Sequence, residues 1–183
     1  PESRVNLGNL YLRIGDAERA GSYYQEAIRR DATFTPAYLN LAELYRNLGG
    51  EVEARAALEA GLTRQPDAAD LHHALGLLLT RAGATQQALS ELARASELAP
   101  EAARYAYVQG IALNSAGQTA DALRVLEAVG IDAKKDLKQE RLGAAESVNA
   151  MKDKKIDAFF WVGGVPTAAL WIGSQPLTAW LAP

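Results

Sequence analysis

The feature that most constrains this chain is a repeat of 34 residues that runs through its first 130 positions. Small residues recur four times in the same phase, with no insertion or deletion between them. A fixed period of roughly 20–50 residues is typical of proteins built from stacked supersecondary units. The recurring small residues are Gly8, Ala42, Gly76 and Gly110; Gly15, Gly49, Gly83 and Gly117; and Ala20, Ala54, Ala88 and Ala122.

Each 34-residue unit predicts two helices, here named helix A and helix B, joined by a glycine turn. Leu7, Leu10 and Tyr11 have the spacing of one apolar stripe along helix A. Gly15 follows where a left-handed residue ends a helix, and Asp16 is placed to cap helix B. The predicted helices cover residues 2–14, 17–30, 36–48, 51–64, 70–82, 85–98, 103–116 and 119–130.

A single helical hairpin cannot bury its own apolar face, whereas three or more stacked hairpins can. The recurring large residues therefore predict a continuous core between the helices. Those expected to be buried are Leu7, Tyr11, Tyr24, Leu41, Tyr45, Leu75, Leu79 and Leu92.

The repeat region resembles the tetratricopeptide family, which keeps small and apolar residues at these same positions. Pro66 and Pro100 close two repeats as the family pattern requires, whereas Ala32 replaces the first such proline. The resemblance implies an all-α fold, a right-handed superhelix of four helix-turn-helix repeats. The fourth repeat departs from the pattern, because Gln109 occupies a normally apolar position. The repeats are residues 1–34, 35–68, 69–102 and 103–130.

Tetratricopeptide arrays offer a concave surface lined by helix A, so the resemblance implies a non-enzymatic scaffold that binds a peptide or partner protein there. The residues at these positions combine amides, arginines and apolar side chains, which suits an extended or helical peptide. The alternative is that they are ordinary exposed helix residues. The predicted groove residues are Asn9, Arg13, Asn40, Glu43, Arg46, Asn47, His73, Leu77, Arg81, Arg104 and Tyr107.

The residues that would carry catalysis or metal binding are scarce. There are no cysteines, and the two histidines, His72 and His73, are adjacent. Neighbouring helical residues point about 100° apart, so this pair cannot chelate one ion as an i, i+4 pair does. No phosphate loop, nucleophile elbow or paired-carboxylate signature is present. We therefore predict no enzymatic activity, no metal and no cofactor.

Charge and hydropathy bear on partners and compartment. A formal net charge of -3 gives no reason to expect nucleic acid as a partner. Residues 159–183 contain no charged side chain, but Pro166, Pro176, Gly163 and Gly164 argue against a membrane-spanning helix. The first residues lack the basic and apolar segments of a signal peptide. The sequence does not decide between the bacterial cytoplasm and the periplasm as the compartment of this protein.

Residues 131–183 differ in composition from the repeats. All six Lys and all three Trp of the chain follow residue 130, whereas all seven Tyr precede it. This shift predicts a domain boundary near Gly130, with residues 1–130 as one domain and 131–183 as a C-terminal segment. The long apolar run of that segment predicts a packing element that covers the last repeat or mediates homo-oligomerisation.

Residues 130–170 resemble an internal segment of the TAXI-type solute receptors of tripartite (TRAP) importers. The resemblance lies in a helix over 142–151, LGAAESVNAM, and the run IDAFFWVGGVP over 156–166. It implies a short α/β-like or irregular segment, which we interpret as a fused or truncated receptor fragment. It also raises an alternative function, an accessory component of TRAP-type periplasmic solute uptake.

Overall fold

The computed structural model describes residues 1–131 together with 171–172 and 175–176. Every predicted helix in that part of the chain is present, with each end within two residues of the prediction. The all-α helical-repeat class is therefore confirmed. The helices are α1 (Glu2–Arg13), α2 (Ala17–Arg30), α3 (Thr35–Asn47), α4 (Glu51–Arg64), α5 (Ala69–Arg81), α6 (Thr85–Leu98), α7 (Ala103–Ser115) and α8 (Thr119–Ala128).

Two short strands lie near the C-terminus. They are β1 (Trp171–Ile172) and β2 (Gln175–Pro176), which pair antiparallel with Trp171 opposite Pro176. The remaining predictions for residues 132–183, the helix over 142–151 and the strand-type run included, lie outside the described residues. Among the eight helices that are described, none is both long and apolar enough to span a bilayer.

The turns between helices A and B have the backbone that the glycines predict. Gly15 has φ of 84°, and its N–H donates to the carbonyl of Leu12 at 3.0 Å. The carboxylate of Asp16 then accepts from the N–H of Arg19 at 3.0 Å, which caps α2. Left-handed backbone is costly for residues with a Cβ, so glycine is favoured at the turn. The same positive φ recurs at Gly49, Gly83 and Gly117.

The chain divides into two compact units, residues 1–109 and 110–183. In the first unit, helices pack as the pairs α1–α2, α3–α4 and α5–α6, and α2 and α4 pack on the helix that follows each of them. The A helices α1, α3 and α5 also contact their neighbours in that order. These six helices therefore stack in sequence order. In the second unit, Ala122 and Leu126 of α8 are buried. The predicted boundary at Gly130 stays a prediction.

Small residues on helix A allow close approach of helix B. A Cβ on Gly8 would lie 2.4 Å from a ring carbon of Tyr24, and one on Gly76 would lie 2.7 Å from Leu92. Since a real Cβ does not come so close, glycine at these positions sets the separation of the helices. Among the most buried large side chains are Tyr24, Leu44, Leu71 and Leu92.

The predicted core is correct for five of the eight residues and wrong for three. Tyr24, Leu41, Leu75, Leu79 and Leu92 are buried, whereas Leu7, Tyr11 and Tyr45 are only partly buried. Both of these tyrosines make contacts at the edge of the core. The Tyr11 ring stacks on Tyr23 at 5.3 Å, and the Tyr45 hydroxyl accepts from the Gln25 amide at 3.4 Å.

Candidate peptide groove on the A helices

The predicted groove residues lie on the layer of A helices and on the start of α7. None of the eleven is fully buried. Val5 stands two repeats before the predicted groove residue His73, but only 6 % of it is exposed and it belongs to the core. The exposed members are Asn9, Arg13, Glu43, Asn47, Leu77, Arg81 and Arg104, and the half-buried ones are Asn40, Arg46, His73 and Tyr107.

On α1, the candidate residue Asn9 is fixed by the core. Its side-chain carbonyl accepts a hydrogen bond of 2.7 Å from the hydroxyl of Tyr24 on α2. Tyr24 is only 1 % exposed, and this burial raises the pKa of its phenol. The bond holds the amide oxygen against Tyr24, so the amide N–H donors are the polar groups that Asn9 can offer a ligand. Arg13 is exposed one turn further along the same helix.

On α3, Arg46 is predicted to bind a ligand, and its guanidinium contacts a carboxylate of the same helix. Its guanidinium grips the carboxylate of Glu43 with two hydrogen bonds, one of them of 2.7 Å from Nε. Only 12 % of the Arg46 side chain is exposed. The hydrogen bond to Glu43 raises the pKa of Arg46, so the residue stays charged. A ligand carboxylate at this position would compete with Glu43. Asn40 and Asn47 lie on the same helix.

The start of α7 contributes a polar cluster that reaches back to α5. The hydroxyl of Tyr105 donates to Asp70 at 2.6 Å, and Arg104 donates to the same carboxylate oxygen at 2.7 Å. The guanidinium of Arg104 also lies over the ring of Tyr105, 4.6 Å from its centroid. Burial, followed by the hydrogen bond to Asp70, raises the pKa of Tyr105. Arg104, predicted as a ligand cation, is therefore positioned by Asp70.

His73 packs against this cluster from α5. Its ring lies 5.0 Å from the ring of Tyr105, and its Nδ1 is buried with no hydrogen-bond partner among the described residues. Burial, reinforced by the charge of Arg104, lowers the pKa of His73. The imidazole is therefore neutral near pH 7 and would offer an uncharged aromatic surface at the predicted groove position.

The neighbouring histidine, His72, is structural. Its Nδ1 lies 2.6 Å from a carboxylate oxygen of Glu91 on α6, and its Nε2 lies 2.8 Å from the carbonyl of Pro66. These contacts join α5 to α6 and to the preceding loop. Within residues 1–131, no group of three His, Asp or Glu residues is arranged to hold a metal ion.

Leu77 is the exposed apolar side chain among the predicted groove residues. It is 44 % exposed on α5, where Arg81 follows one turn later. Tyr107 on α7 is half-buried, and this burial raises the pKa of its phenol. The arrangement can therefore form hydrogen bonds and apolar contacts with a peptide.

The sequence predicted that Tyr24 is buried but not that it positions Asn9, and it did not predict the contact of Tyr105 with Asp70. The signal for Tyr105 is present in the repeat, because an aromatic ring stands there at a position that the other repeats fill with Ser3, Ala37 and Leu71. The signal for Tyr24 is weaker, because its ring occupies an ordinary core position.

Family models match most of the repeat region. One tetratricopeptide repeat model matches residues 11–78, and a second one matches residues 73–135. The repeats belong to the tetratricopeptide family. A model of the NMT1-like family matches residues 111–171 and so overlaps the last repeat and much of the C-terminal segment. It is weakly compatible with the predicted resemblance to solute receptors. No curated protein matches the chain.

Solved tetratricopeptide structures have a similar fold. A crystal structure of MamA is 22 % identical with a TM-score of 0.59, covering 78 % of this chain and 78 % of MamA. A MamA fragment from Desulfovibrio magneticus RS-1 is 18 % identical with a TM-score of 0.58, covering 74 % and 77 %. YrrB, described as a TPR protein with an unusual peptide-binding site, is 25 % identical with a TM-score of 0.57, covering 82 % and 76 %.

Proposed function

We propose that the tetratricopeptide repeats form a non-enzymatic scaffold that binds a peptide segment of a partner protein along α1, α3 and α5. The main support is that the predicted groove residues on three adjacent helices are all accessible to solvent. The likeness to YrrB, whose description names a peptide-binding site, supports the same class of ligand. Tetratricopeptide proteins are generally interaction scaffolds and not enzymes.

The groove chemistry favours a peptide that combines an apolar side chain with hydrogen-bonding groups. Leu77 offers an apolar contact that is exposed without a ligand, and Asn9 offers amide donors whose direction is set by Tyr24. Arg46 and Arg104 form ion pairs with Glu43 and Asp70, so a ligand anion would have to compete with these carboxylates at both arginines. We therefore expect hydrogen bonding and apolar contact to contribute more to affinity than net charge.

Peptide display on the full chain tests this proposal. Peptides selected on the wild type are measured by isothermal titration calorimetry against Arg13→Ala, Asn47→Ala and Leu77→Ser, which change exposed groove positions. We expect the combined variant to lose affinity by at least about tenfold, or about 1.4 kcal/mol. The matched control is Val52→Ser, which changes a 78 % exposed apolar residue on α4. Unchanged affinity in the groove variant for every selected peptide would place the binding site elsewhere.

The alternative, a component of TRAP-type solute uptake, is not favoured. It depends on residues 131–183, and the match to the NMT1-like family covers only part of the chain. Neither the repeats nor their structural neighbours add support for it. The expected absence of nucleic acid and the homo-oligomer through the C-terminal segment stay predictions.

A further inference from the structure

A cavity of about 550 Å³ opens between α4 and α6, and its bottom is formed by Leu75 and Leu79 of α5. These two leucines are 4 % and 3 % exposed. Leu77 of the predicted groove is two positions from each of them, which is about 200° around the helix, so the cavity and the groove lie on opposite sides of α5. Helix α3 precedes and α7 follows the three helices that line the cavity. Its walls therefore do not depend on where the sequence begins or ends.

The second repeat shows what the same arrangement of helices accommodates. Tyr45 stands one repeat before Leu79, and Gln25 stands one repeat before Glu59, which lines the cavity. The amide of Gln25 donates to the hydroxyl of Tyr45 at 3.4 Å. In the second repeat, a phenol side chain therefore reaches from helix A to the preceding helix B. Leu79 has neither a ring nor a hydroxyl, so α5 supplies no such group to the cavity.

The walls of the cavity carry polar groups that the second repeat lacks. Three of these residues stand one repeat after glycine or alanine. They are Arg55, Ser90 and Glu91, which correspond to Gly21, Ala56 and Ala57. Stacking of the helices does not require polar side chains at these positions, because the second repeat stacks without them. The polar lining is therefore a property of this cavity and not of the repeat pattern.

Each wall presents a carboxylate that a neighbouring side chain holds in place. Nε of Arg55 donates to Oε1 of Glu59 at 2.7 Å, and Nδ1 of His72 lies 2.6 Å from Oε2 of Glu91. The second oxygen of each carboxylate accepts no hydrogen bond from a side chain within residues 1–131. Acceptors that are already oriented lose little conformational freedom on binding, which favours affinity. The cavity thus combines an apolar bottom with a hydrogen-bond acceptor on each side.

We propose that this cavity binds a small aromatic molecule that carries an amino group. Its volume lies in the range of about 300–1,000 Å³ that is usual for small-molecule sites. The aromatic ring packs on Leu75 and Leu79, as the ring of Tyr45 packs in the second repeat, and the ammonium donates charge-assisted hydrogen bonds to the carboxylates of the walls. The charged lining residues are two carboxylates and Arg55, which is already paired with Glu59, so a cation is favoured over an anion.

Tyramine serves as the probe, because it joins a phenol ring to an ammonium group. Heteronuclear NMR of the full chain follows the backbone amides during titration with tyramine and, separately, with para-hydroxyphenylacetate, which carries a carboxylate in place of the amine. Leu79→Tyr fills the cavity with the ring that the second repeat has, and Glu59→Gln removes a charge while keeping the shape. The matched control is Ile14→Tyr, which adds the same ring at a 69 % exposed position after α1. Circular dichroism checks that each variant stays helical.

We expect tyramine to cause saturable shifts at Thr63 and Ser90, which line the cavity on α4 and α6. Para-hydroxyphenylacetate should bind at least about tenfold more weakly. Leu79→Tyr should abolish the shifts, Glu59→Gln should weaken tyramine binding by about twofold to fivefold, and Ile14→Tyr should leave it unchanged. If Leu79→Tyr does not fold, Glu59→Gln decides.

Three results would overturn the proposal. They are the absence of saturable shifts, shifts confined to the groove, and equal affinity for the cationic and anionic probes. Unchanged binding by Leu79→Tyr or by Glu59→Gln would do the same. A segment of this chain or of a partner protein that occupied the cavity would exclude tyramine and so give the first of these results. The groove variants Arg13→Ala, Asn47→Ala and Leu77→Ser leave the cavity lining intact, so the two proposals fail independently.

Discussion

The buried hydroxyl of Tyr24 on α2 donates a 2.7 Å hydrogen bond to the side-chain carbonyl of Asn9 on the exposed face of α1. One contact thus joins the core of the first repeat to its candidate groove. The ring of Tyr24 packs under Gly8, where a Cβ would collide with it. The position of the Asn9 amide therefore depends on how closely the two helices approach, and a change in the core can alter the groove.

Tyr24→Phe keeps the ring and removes this bond. We expect the free energy of unfolding to fall by about 0.5–1.5 kcal/mol, the usual contribution of one hydrogen bond. Groove ligands that use Asn9 should also bind more weakly, because its amide loses its orientation. Urea denaturation checks the first effect. Tyr23→Phe is the control, since the Tyr23 ring stacks on Tyr11 at the surface, and an equal loss there would contradict this explanation.

Gly8→Ala adds a methyl group that would lie 2.4 Å from the Tyr24 ring. Alanine in a helix interior is favoured over glycine by about 1 kcal/mol, but overpacking costs about 1–3 kcal/mol. Because the neighbour is a buried ring, we expect a net loss of stability in thermal and urea unfolding. Asn6→Ala, an exposed position on the same helix, should change stability by less than about 0.5 kcal/mol. A stabilised Gly8→Ala variant would show that the helices separate easily.

His73 should make stability depend on pH. Its pKa in the folded state lies below the ordinary value of about 6.5, so the unfolded chain binds the proton more readily. The contribution of the neutral ring is therefore fully present above about pH 6.5 and is lost as pH falls towards the folded-state pKa. We expect urea unfolding of the wild type to lose stability in this window more steeply than His73→Phe does. His72 is present in both proteins, so their difference isolates His73, and parallel curves would rule out the effect.

Glu43→Gln removes the carboxylate that neutralises Arg46. We expect affinity for acidic groove peptides to rise, because the guanidinium can then pair with a ligand carboxylate instead. The gain should shrink as salt increases. Titration calorimetry at two salt concentrations measures both effects. Glu59→Gln on α4, which breaks the pair with Arg55 away from the groove, is the control, and a similar gain there would show a nonspecific effect of net charge.

The sequence alone determined the helices and their turns. A period of 34 residues with apolar residues at helical spacing requires paired helices, and Gly15 with its equivalents marks where each helix A ends. The apolar spacing and the glycines predict these features well, because helix formation and turn geometry depend mainly on local sequence, and the repeat shows the same local sequence several times. The same pattern predicted that Tyr24 and Leu92 are buried, and each packs under the glycine on helix A of its own repeat, Gly8 or Gly76.

Only the tertiary structure decided the partners of the groove side chains. Arg46 has its carboxylate on the same helix, whereas Arg104 binds Asp70, 34 residues away. The 34-residue period assigns both arginines to the predicted groove. It does not assign their hydrogen-bond partners, because a hydrogen bond requires two atoms within about 3 Å. That distance depends on side-chain directions in adjacent helices, which the period does not report. Exposure likewise differs between equivalent positions, since Leu10 is 53 % exposed within the described part of the chain, whereas Leu44, one repeat later, packs against α2 and is 2 % exposed.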